Sequence, residues 1–385
     1  MIRTAKRLES VEEYYFSKKL REVRGLIGQG KPIINMGIGS PDLAPPEAVV
    51  NCLIESMRDQ GAHQYQSYQG LPKLRESIAD FYKEKYGVNA DPESEVLPLM
   101  GSKEGIMHIS MALLNEGEEV LIPNPGYPTY TSVTKLVGGR PRYYDLTENQ
   151  AWFPDLEALQ REDLDRVKLM WINYPHMPTG AVANPEQLVR LITFAKNHNI
   201  LLINDNPYSF VLNDHPVSLM QIEGAKEIAL ELNSLSKTFN MAGWRIGMVL
   251  GSANNIEAVL KVKSNMDSGM FYGIQQGAIE ALKSGADWFK SMNAIYAERR
   301  KLIFELADLL NCVYDKKGVG MFVWARLPVA NRGSEDFIDE LLYKKNIFIA
   351  PGTIFGSNGE GYIRFSLCVK EEKIREAIER IKMEK

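Results

Sequence analysis

The chain has 385 residues, 45% of them hydrophobic and 24% charged, with a net charge of −4. That length exceeds what one hydrophobic core serves and fits two domains of ordinary soluble composition. A sequence pI near 5.9 gives no electrostatic reason to bind nucleic acid or an anionic membrane surface, and no run reaches the roughly 18 apolar residues of a membrane span. Cys52, Cys312 and Cys368 are odd in number, far apart and free of any CxxC pattern, which suits reduced thiols in a cytoplasm. His63, His108, His176, His198 and His215 form no ligand-spaced cluster, which argues against a metal site. The first nine residues turn acidic before an apolar run develops, so no signal peptide is expected. A cytoplasmic protein is the expectation.

Residues 10–29 place Val11, Tyr15, Leu20, Val23 and Ile27 at loose helical spacing, with Gly28 and Gly30 ending the helix. An extended piece at 33–36 runs into Gly37-Ile38-Gly39-Ser40-Pro41-Asp42, where glycine lets a backbone approach something closely. Pro45 and Pro46 open a helix over 47–59, and a second helix runs from the Tyr65–Pro72 turn to Tyr86. From 96 to 250 short apolar runs alternate with helical stretches, with strands expected at 96–100, 120–123, 140–146, 167–173, 201–205, 228–232 and 245–250. The clearest helix lies between Pro185, which starts it, and Asn199, which ends it. The alternation predicts an α/β fold, a mainly parallel seven-stranded sheet with helices on both faces. Ligands of such sheets bind beyond the carboxyl ends of the strands. Residues 253–284 and 286–311 read as two long helices joined at Gly285. Strands at 321–327, 347–350 and 362–369 and a helix at 371–383 suggest a smaller α+β domain. The expected division is an arm over 1–44 that packs with the small domain, a large domain over 45–280 and a small domain over 281–385.

The residues that invite chemistry fall at strand ends. Asn233-Ser234-Leu235-Ser236-Lys237-Thr238-Phe239, with Arg245 eight residues after the lysine, offers an amine for a covalent aldehyde cofactor. The hydroxyls and the guanidinium can grip a phosphate; alone, the lysine reads as a solvated loop residue, and the rest of the chain reverses that. Gly101-Ser102-Lys103-Glu104-Gly105 opens a helix whose backbone amides can bind phosphate, although many such turns are purely structural. Tyr127, held at a strand end by Pro125 and Pro128, can present a flat face to an aromatic ring, or else is an exposed turn tyrosine. Asp205 ends the hydrophobic strand Leu201-Leu202-Ile203-Asn204, where a carboxylate is costly unless paired with a cation. A protonated pyridine nitrogen is such a cation, and Tyr208 stands three residues on; a helix cap is the plainer role. Arg364 interrupts the apolar strand Tyr362-Ile363-Arg364-Phe365-Ser366-Leu367 and offers a bidentate fork for a carboxylate, or else a surface ion pair.

These stretches, in this order from Gly37 to Leu367, resemble the fold-type I pyridoxal-phosphate enzymes of the class I/II aminotransferases. Gly-Ser-Lys-Glu-Gly and Pro-Gly-Tyr-Pro-Thr-Tyr look most like the branch that contains LL-diaminopimelate aminotransferases. The resemblance implies a pyridoxal 5'-phosphate cofactor and makes Lys237 its Schiff-base lysine. Ser102 and Lys103 would give backbone amides to the phosphate, joined by the side chains of Ser234 and Arg245. Tyr127 would stack on the ring, Asp205 would pair with its nitrogen and Tyr208 would bond its phenolate oxygen. Arg364 would hold the substrate α-carboxylate with the Ile38-Gly39 backbone nearby. Tyr65 matches a tyrosine that reaches the phosphate of a neighbouring subunit, which implies a homodimer with shared sites. The activity implied is amino transfer between an L-amino acid and a 2-oxo acid through a pyridoxamine phosphate form.

One departure stands out. The family's Asn-Pro-Thr-Gly is Met177-Pro178-Thr179-Gly180 here, and a thioether cannot donate the hydrogen bond that the family asparagine gives the phenolate. His176 or Asn173 takes that place, or the phenolate relies on Tyr208 alone. The segment 264–273 lacks the second arginine that family dicarboxylate enzymes draw from a partner chain. Met266, Met270, Phe271 and Tyr272 suggest an apolar or adaptable side-chain pocket instead. A carbon–sulfur (β-)lyase of the same fold and a silent cofactor-binding sensor are the alternatives. Turnover that needs no oxo acid and releases ammonia would mark the lyase, and intact Lys237, Asp205, Tyr208 and Arg364 speak against the sensor.

Overall fold

The computed structural model describes residues 2–9, 15–328 and 333–383. The N-terminal helix α1 covers Tyr15–Gly28; Val11 lies outside the described residues. A short strand β1 (Ile34–Asn35) and the helices α2 (Glu47–Ser56) and α3 (Pro72–Tyr86) follow. Pro72 sits in the first turn of α3, where its missing N–H costs nothing, and Gly87 closes the helix with φ 68°.

Seven strands come next: β2 (Val96–Leu99), β3 (Glu119–Asn124), β4 (Arg140–Asp145), β5 (Val167–Ile172), β6 (Leu201–Asp205), β7 (Ala229–Ser234) and β8 (Gly247–Gly251). They make one sheet in the order β2-β8-β7-β6-β5-β3-β4, in which β8 alone runs against its neighbours. The fold is therefore α/β with a mainly parallel sheet. Near-continuous apolar strands are what a sheet covered on both faces requires. Leu169 and Trp171 of β5 pack on one face with Val120, Ile203 and Leu230, while Met170 and Ile172 pack on the other with Leu121 and Leu202. The intervening helices are α4 (Ser102–Leu113), α5 (Pro128–Leu136), α6 (Leu156–Gln160), α7 (Pro185–His198), α8 (Ala225–Ile228) and α9 (Leu235–Thr238). Asn184 caps α7 with a reciprocal Asn184–Gln187 box, and Asn199 ends it at φ 51°.

Beyond the sheet lie α10 (Ala253–Lys263), α11 (Tyr272–Leu282), α12 (Ala286–Leu309), β9 (Val313–Tyr314), β10 (Phe322–Arg326), α13 (Ser334–Lys345), β11 (Ile347–Phe348), β12 (Ala350–Pro351), β13 (Tyr362–Ser366) and α14 (Glu371–Lys382). Strands β12, β13, β10 and β9 form a second sheet in that order. Its core gathers Phe322, Ile363, Phe365 and Ile378 together with Val23, Ile34 and Met36 from the N-terminal segment. No helix among the described residues is long and apolar enough to cross a membrane.

Several boundaries differ from the sequence expectation for local reasons. The helix read over 253–284 is two helices parted by 264–271, because Asp267 accepts a hydrogen bond from the Gly269 backbone and Gly269 takes φ +88°, a turn that no helix accommodates. The strand read over 245–250 begins at Gly247, since Arg245 holds a left-handed conformation at φ 54°. Ile228 ends α8, and the strand that follows runs on to Ser234. The run 347–350 splits between two sheets, β11 pairing with β1 and β12 with β13.

Candidate active site

The carboxyl ends of β2, β3, β5, β6 and β7 reach one side of the large sheet, as parallel strands must, and the antiparallel β8 brings its amino end there. Beyond them opens a cavity of about 450 Å³ whose wall includes Ser102, Lys103, Tyr127, Asn173, Asp205, Tyr208, Ser234, Lys237 and Arg245. Gly39, the small-sheet residues Phe322 and Arg364, and Phe355 from the turn between β12 and β13 also line it. Residues scattered over the sequence from Gly39 to Arg364 thus share one space. Tyr65 is 91% exposed and Ile38 also faces outward; the structure does not bring either side chain to this cavity. Met266 and Phe271 are exposed and Met270 is buried elsewhere, so the apolar pocket expected of them is not part of this wall.

Lys237 stands on the single turn α9 that continues from β7. Its Nζ donates to the carbonyl of Gly39 at 2.5 Å. Burial, with the nearby Arg364 and Arg245 charges acting in the same direction, lowers its pKa to about 8. A lysine so placed holds a substantial fraction of free amine near neutral pH, which a nucleophile or base requires.

Asp205 closes β6 at a position matched in register with Leu232. One carboxylate oxygen, Oδ2, accepts from the Tyr130 hydroxyl at 2.8 Å; the other, Oδ1, is buried without a hydrogen-bond partner. Burial lifts the carboxyl to about 6, against the lowering effect of Tyr130. Tyr130 is fully buried and stacks on Trp171 at 4.8 Å. It fixes the orientation of Asp205, and sequence reading missed it because a tyrosine in a helix carries no signal of what it touches.

Around the start of α4 the backbone amides of Ser102 and Lys103 are among those a helix leaves unbonded. Gly101 precedes them with φ +93°, and a Cβ there would lie 2.3 Å from Nη2 of Arg245. Only glycine lets that guanidinium cross so near the helix start. Ser234 caps α9, accepting from the Ser236 backbone at 3.1 Å, and the two serine hydroxyls stand 2.8 Å apart. Ser236 lines the cavity too and was not singled out by sequence, although its place beside Lys237 was the available clue.

Arg364 lies in β13 between β12 and β10 and is buried, not on an edge. Its carbon Cζ sits 4.0 Å from the Phe322 ring centre and 4.6 Å from that of Phe355. Nη2 donates to the Gly37 carbonyl at 2.8 Å, Nη1 meets the Met177 sulfur at 3.4 Å, and Nε has no partner. Burial lowers its pKa to about 10. The glycine-rich turn therefore meets the cavity through two carbonyls, Gly37 to Arg364 and Gly39 to Lys237.

Met177 lines the cavity, whereas His176 does not. His176 is buried, its Nδ1 within 2.8 Å of the Thr179 hydroxyl, and burial depresses its pKa to about 3. Asn173 lines the cavity, with its oxygen accepting from the Met177 backbone at 2.7 Å and its amide donating to the Asp205 carbonyl. Tyr208 packs edge-on against Phe322, 5.7 Å between ring centres, and burial raises its phenol pKa.

A cavity at the strand ends of a mainly parallel sheet, lined by a lysine of lowered pKa and walled on its other side by a smaller sheet, is the architecture of a fold-type I transferase. The sequence model of aminotransferase class I and II matches residues 31–381, and the chain belongs to that family, whose members depend on pyridoxal phosphate. An LL-diaminopimelate aminotransferase of Halothermothrix orenii is 40% identical over 98% of this chain and 97% of its own. One from Maridesulfovibrio salexigens is 39% identical over 98% of each. The substrate-bound structure of BacF from Bacillus subtilis superposes with a TM-score of 0.95 at 36% identity, covering 100% of this chain and 98% of that one. The protein is an aminotransferase; the lyase alternative is not favoured.

Proposed function

We propose that this cavity holds pyridoxal 5'-phosphate on Lys237 and transfers the amino group of an L-amino acid whose carboxylate seats on Arg364. The observation that carries this reading is the pair of unsatisfied buried charges, Asp205 through Oδ1 and Arg364 through Nε, on the wall of a cavity that also holds a lysine of lowered pKa. The residues fit the cofactor: Asp205 suits a pyridinium nitrogen, Tyr127 a ring face, and the Ser102 and Lys103 amides with Ser234, Ser236 and Arg245 a phosphate. When bound, the cofactor supplies an electron sink for the charge left on the substrate Cα.

The chain's own groups do the rest. Arg364, which makes no ion pair among the described residues, forms a fork for the α-carboxylate and so sets which bond at Cα faces the reaction. Lys237 takes the Cα proton and returns it, since an amine near pH 8 can serve as both base and acid. Asp205, kept dry and oriented by Tyr130, holds a proton on the ring nitrogen. Tyr208 is one donor available to the ring oxygen; the thioether of Met177 cannot donate, and Asn173, which lines the cavity and spends one of its two amide N–H groups on the Asp205 carbonyl, keeps the other.

The names of the relatives make LL-diaminopimelate the first donor to test. A second reading rests on the cavity wall, where Phe16, Ile354 and Phe355 are apolar and favour an aliphatic or aromatic donor. Absorbance of the holoenzyme mixed with each amino acid, then with a 2-oxo acid, decides between them. Loss and recovery of the cofactor band names the donor, and ammonia released without an acceptor would overturn the reading. We also infer a homodimer in which Tyr65 reaches the partner's phosphate site. Exposed Ile54, Tyr65, Tyr68, Met266 and Phe271, on segments that pack together through α2 and α11, support it. Three cysteines without disulfides support a cytoplasmic location. For the domains, an arm over 1–44, a large body to 280 and a small one beyond remain our proposal, supported by the shared core of the N-terminal segment and the small sheet.

A further inference from the structure

Next to the catalytic cavity, a second group of side chains, with a buried histidine at its centre and a half-buried glutamate at its rim, lacks the partners its chemistry calls for. Glu104 and His108 stand one turn apart on α4, a spacing that puts both on one face. Asp267 comes from the 264–271 segment, far along the chain. One potential ligand atom of each lies within 4.8 Å of the other two. His108 is fully buried and neither ring nitrogen has a hydrogen-bond partner; Nε2 is 3.8 Å from Oε1 of Glu104. The Asp267 side chain is only 8% exposed. Its Oδ1 accepts from the Lys263 ammonium and the Gly269 backbone, both at 2.9 Å, and its Oδ2 has no partner.

We propose that Glu104, His108 and Asp267 bind a divalent transition-metal ion, with Zn²⁺ the best match, and that the ion fastens the first turn of α4 to the 264–271 segment. Three arguments support the assignment. The donor set of one imidazole and two carboxylates suits zinc, whereas calcium and magnesium prefer oxygen alone. Zinc bonds of about 2.0–2.2 Å put tetrahedral ligands about 3.3 Å apart, so rotamer shifts of about 1 Å close the present group. Lys263 offsets one of the two carboxylate charges and leaves the other to a cation. Its ammonium also acts as an outer-shell donor that holds Oδ1 and turns Oδ2 inward, an arrangement that orients metal ligands. The fourth position is open to water.

The placement gives the ion a task. Ser102 and Lys103, which line the catalytic cavity, immediately precede Glu104 on α4. Lys263 also donates to the Tyr68 carbonyl at 2.8 Å. The ion would therefore tie together the start of α4, the 65–70 turn and the 264–271 segment, and hold the helix amides in place.

The test uses the full-length holoenzyme, stripped with a chelator and titrated with ZnCl₂ alone by calorimetry, with metal content measured after gel filtration. The expected result is one zinc per chain, and an affinity at least about 100-fold weaker in His108→Ala and Asp267→Asn. A zinc-dependent rise in Tm should be present in wild type and absent from both variants. Asp267→Asn keeps the shape of the side chain and provides the readout if His108→Ala does not fold. Co²⁺ should give a four-coordinate visible spectrum that both variants lose. Wild-type protein that binds no stoichiometric zinc, or binding undiminished in both variants, overturns the proposal.

Discussion

Asp205 and Arg364 are both buried charges on the catalytic cavity, yet the two ends are built by different means. Asp205 terminates a strand of the parallel sheet and keeps one hydroxyl partner, Tyr130. Arg364 sits within an antiparallel strand, clasped between two phenyl faces and tethered by one backbone carbonyl. Each is pushed toward its neutral form by burial, Asp205 up to about 6 and Arg364 down to about 10. The difference lies in what supports them. A carboxylate at a strand end is aimed by one hydrogen bond, whereas a planar guanidinium is aimed largely by stacking, which leaves Nε without a partner. Both ends forgo stability that a bound molecule of opposite charge would restore.

The largest effect expected is at the lysine that stands between those ends. Lys237→Ala should lose turnover by at least about 10³-fold, the range of a lost general base and more, as read by oxo-acid formation. A variant transaminating at the wild-type rate would break the whole assignment.

Asp205→Asn should lower kcat by about 10²-fold or more, since the amide cannot hold a proton on the ring nitrogen. The same change should stabilise the cofactor-free protein at neutral pH. A carboxyl raised from 3.8 to about 6 in the folded state costs ~3 kcal/mol above both values. That cost is relieved as the pH falls from about 6 toward 4, so wild-type apoprotein should gain Tm on mild acidification relative to the variant. Calorimetry at several pH values checks the sign.

Arg364→Lys should cut kcat/KM for the amino acid by about 10²-fold, mostly through KM, because the ammonium has no fork and deprotonates readily when buried. Steady-state kinetics would show it, and an unchanged KM would place the carboxylate elsewhere. Gly101→Ala should weaken cofactor affinity about tenfold, at a backbone cost of about 1–3 kcal/mol, because of its φ and the nearness of Arg245; equilibrium dialysis measures it. The smallest effect is one of pH alone. The rate of cofactor uptake by apoprotein should rise with pH and level off above about 8, where Lys237 becomes the free amine.

Much of the large sheet was legible in the sequence, because strands buried on two faces leave long apolar runs that end in polar residues. Lys237, Asp205 and Arg364 stood out for a related reason: each interrupts or terminates such a run, where an ionisable side chain is costly. The break at 264–271 was less legible, since Asp267 and Gly269 form a turn through a hydrogen bond that apolar periodicity does not register. Tyr130 was not legible at all, for nothing local distinguishes a tyrosine beneath a catalytic carboxylate from one in a core.

The sequence by itself determined which residues are chemically equipped, because residue type and strand-end position follow from local pattern. Only the tertiary structure decided which of them meet. It turned Ile38 and the Tyr65 ring away from the cavity of their own chain, set the Met177 sulfur against Arg364, and brought Asp267 to Glu104 and His108. Those outcomes depend on register, strand order and the crossing of distant helices, which are fixed by packing of the whole core and are written in no single segment.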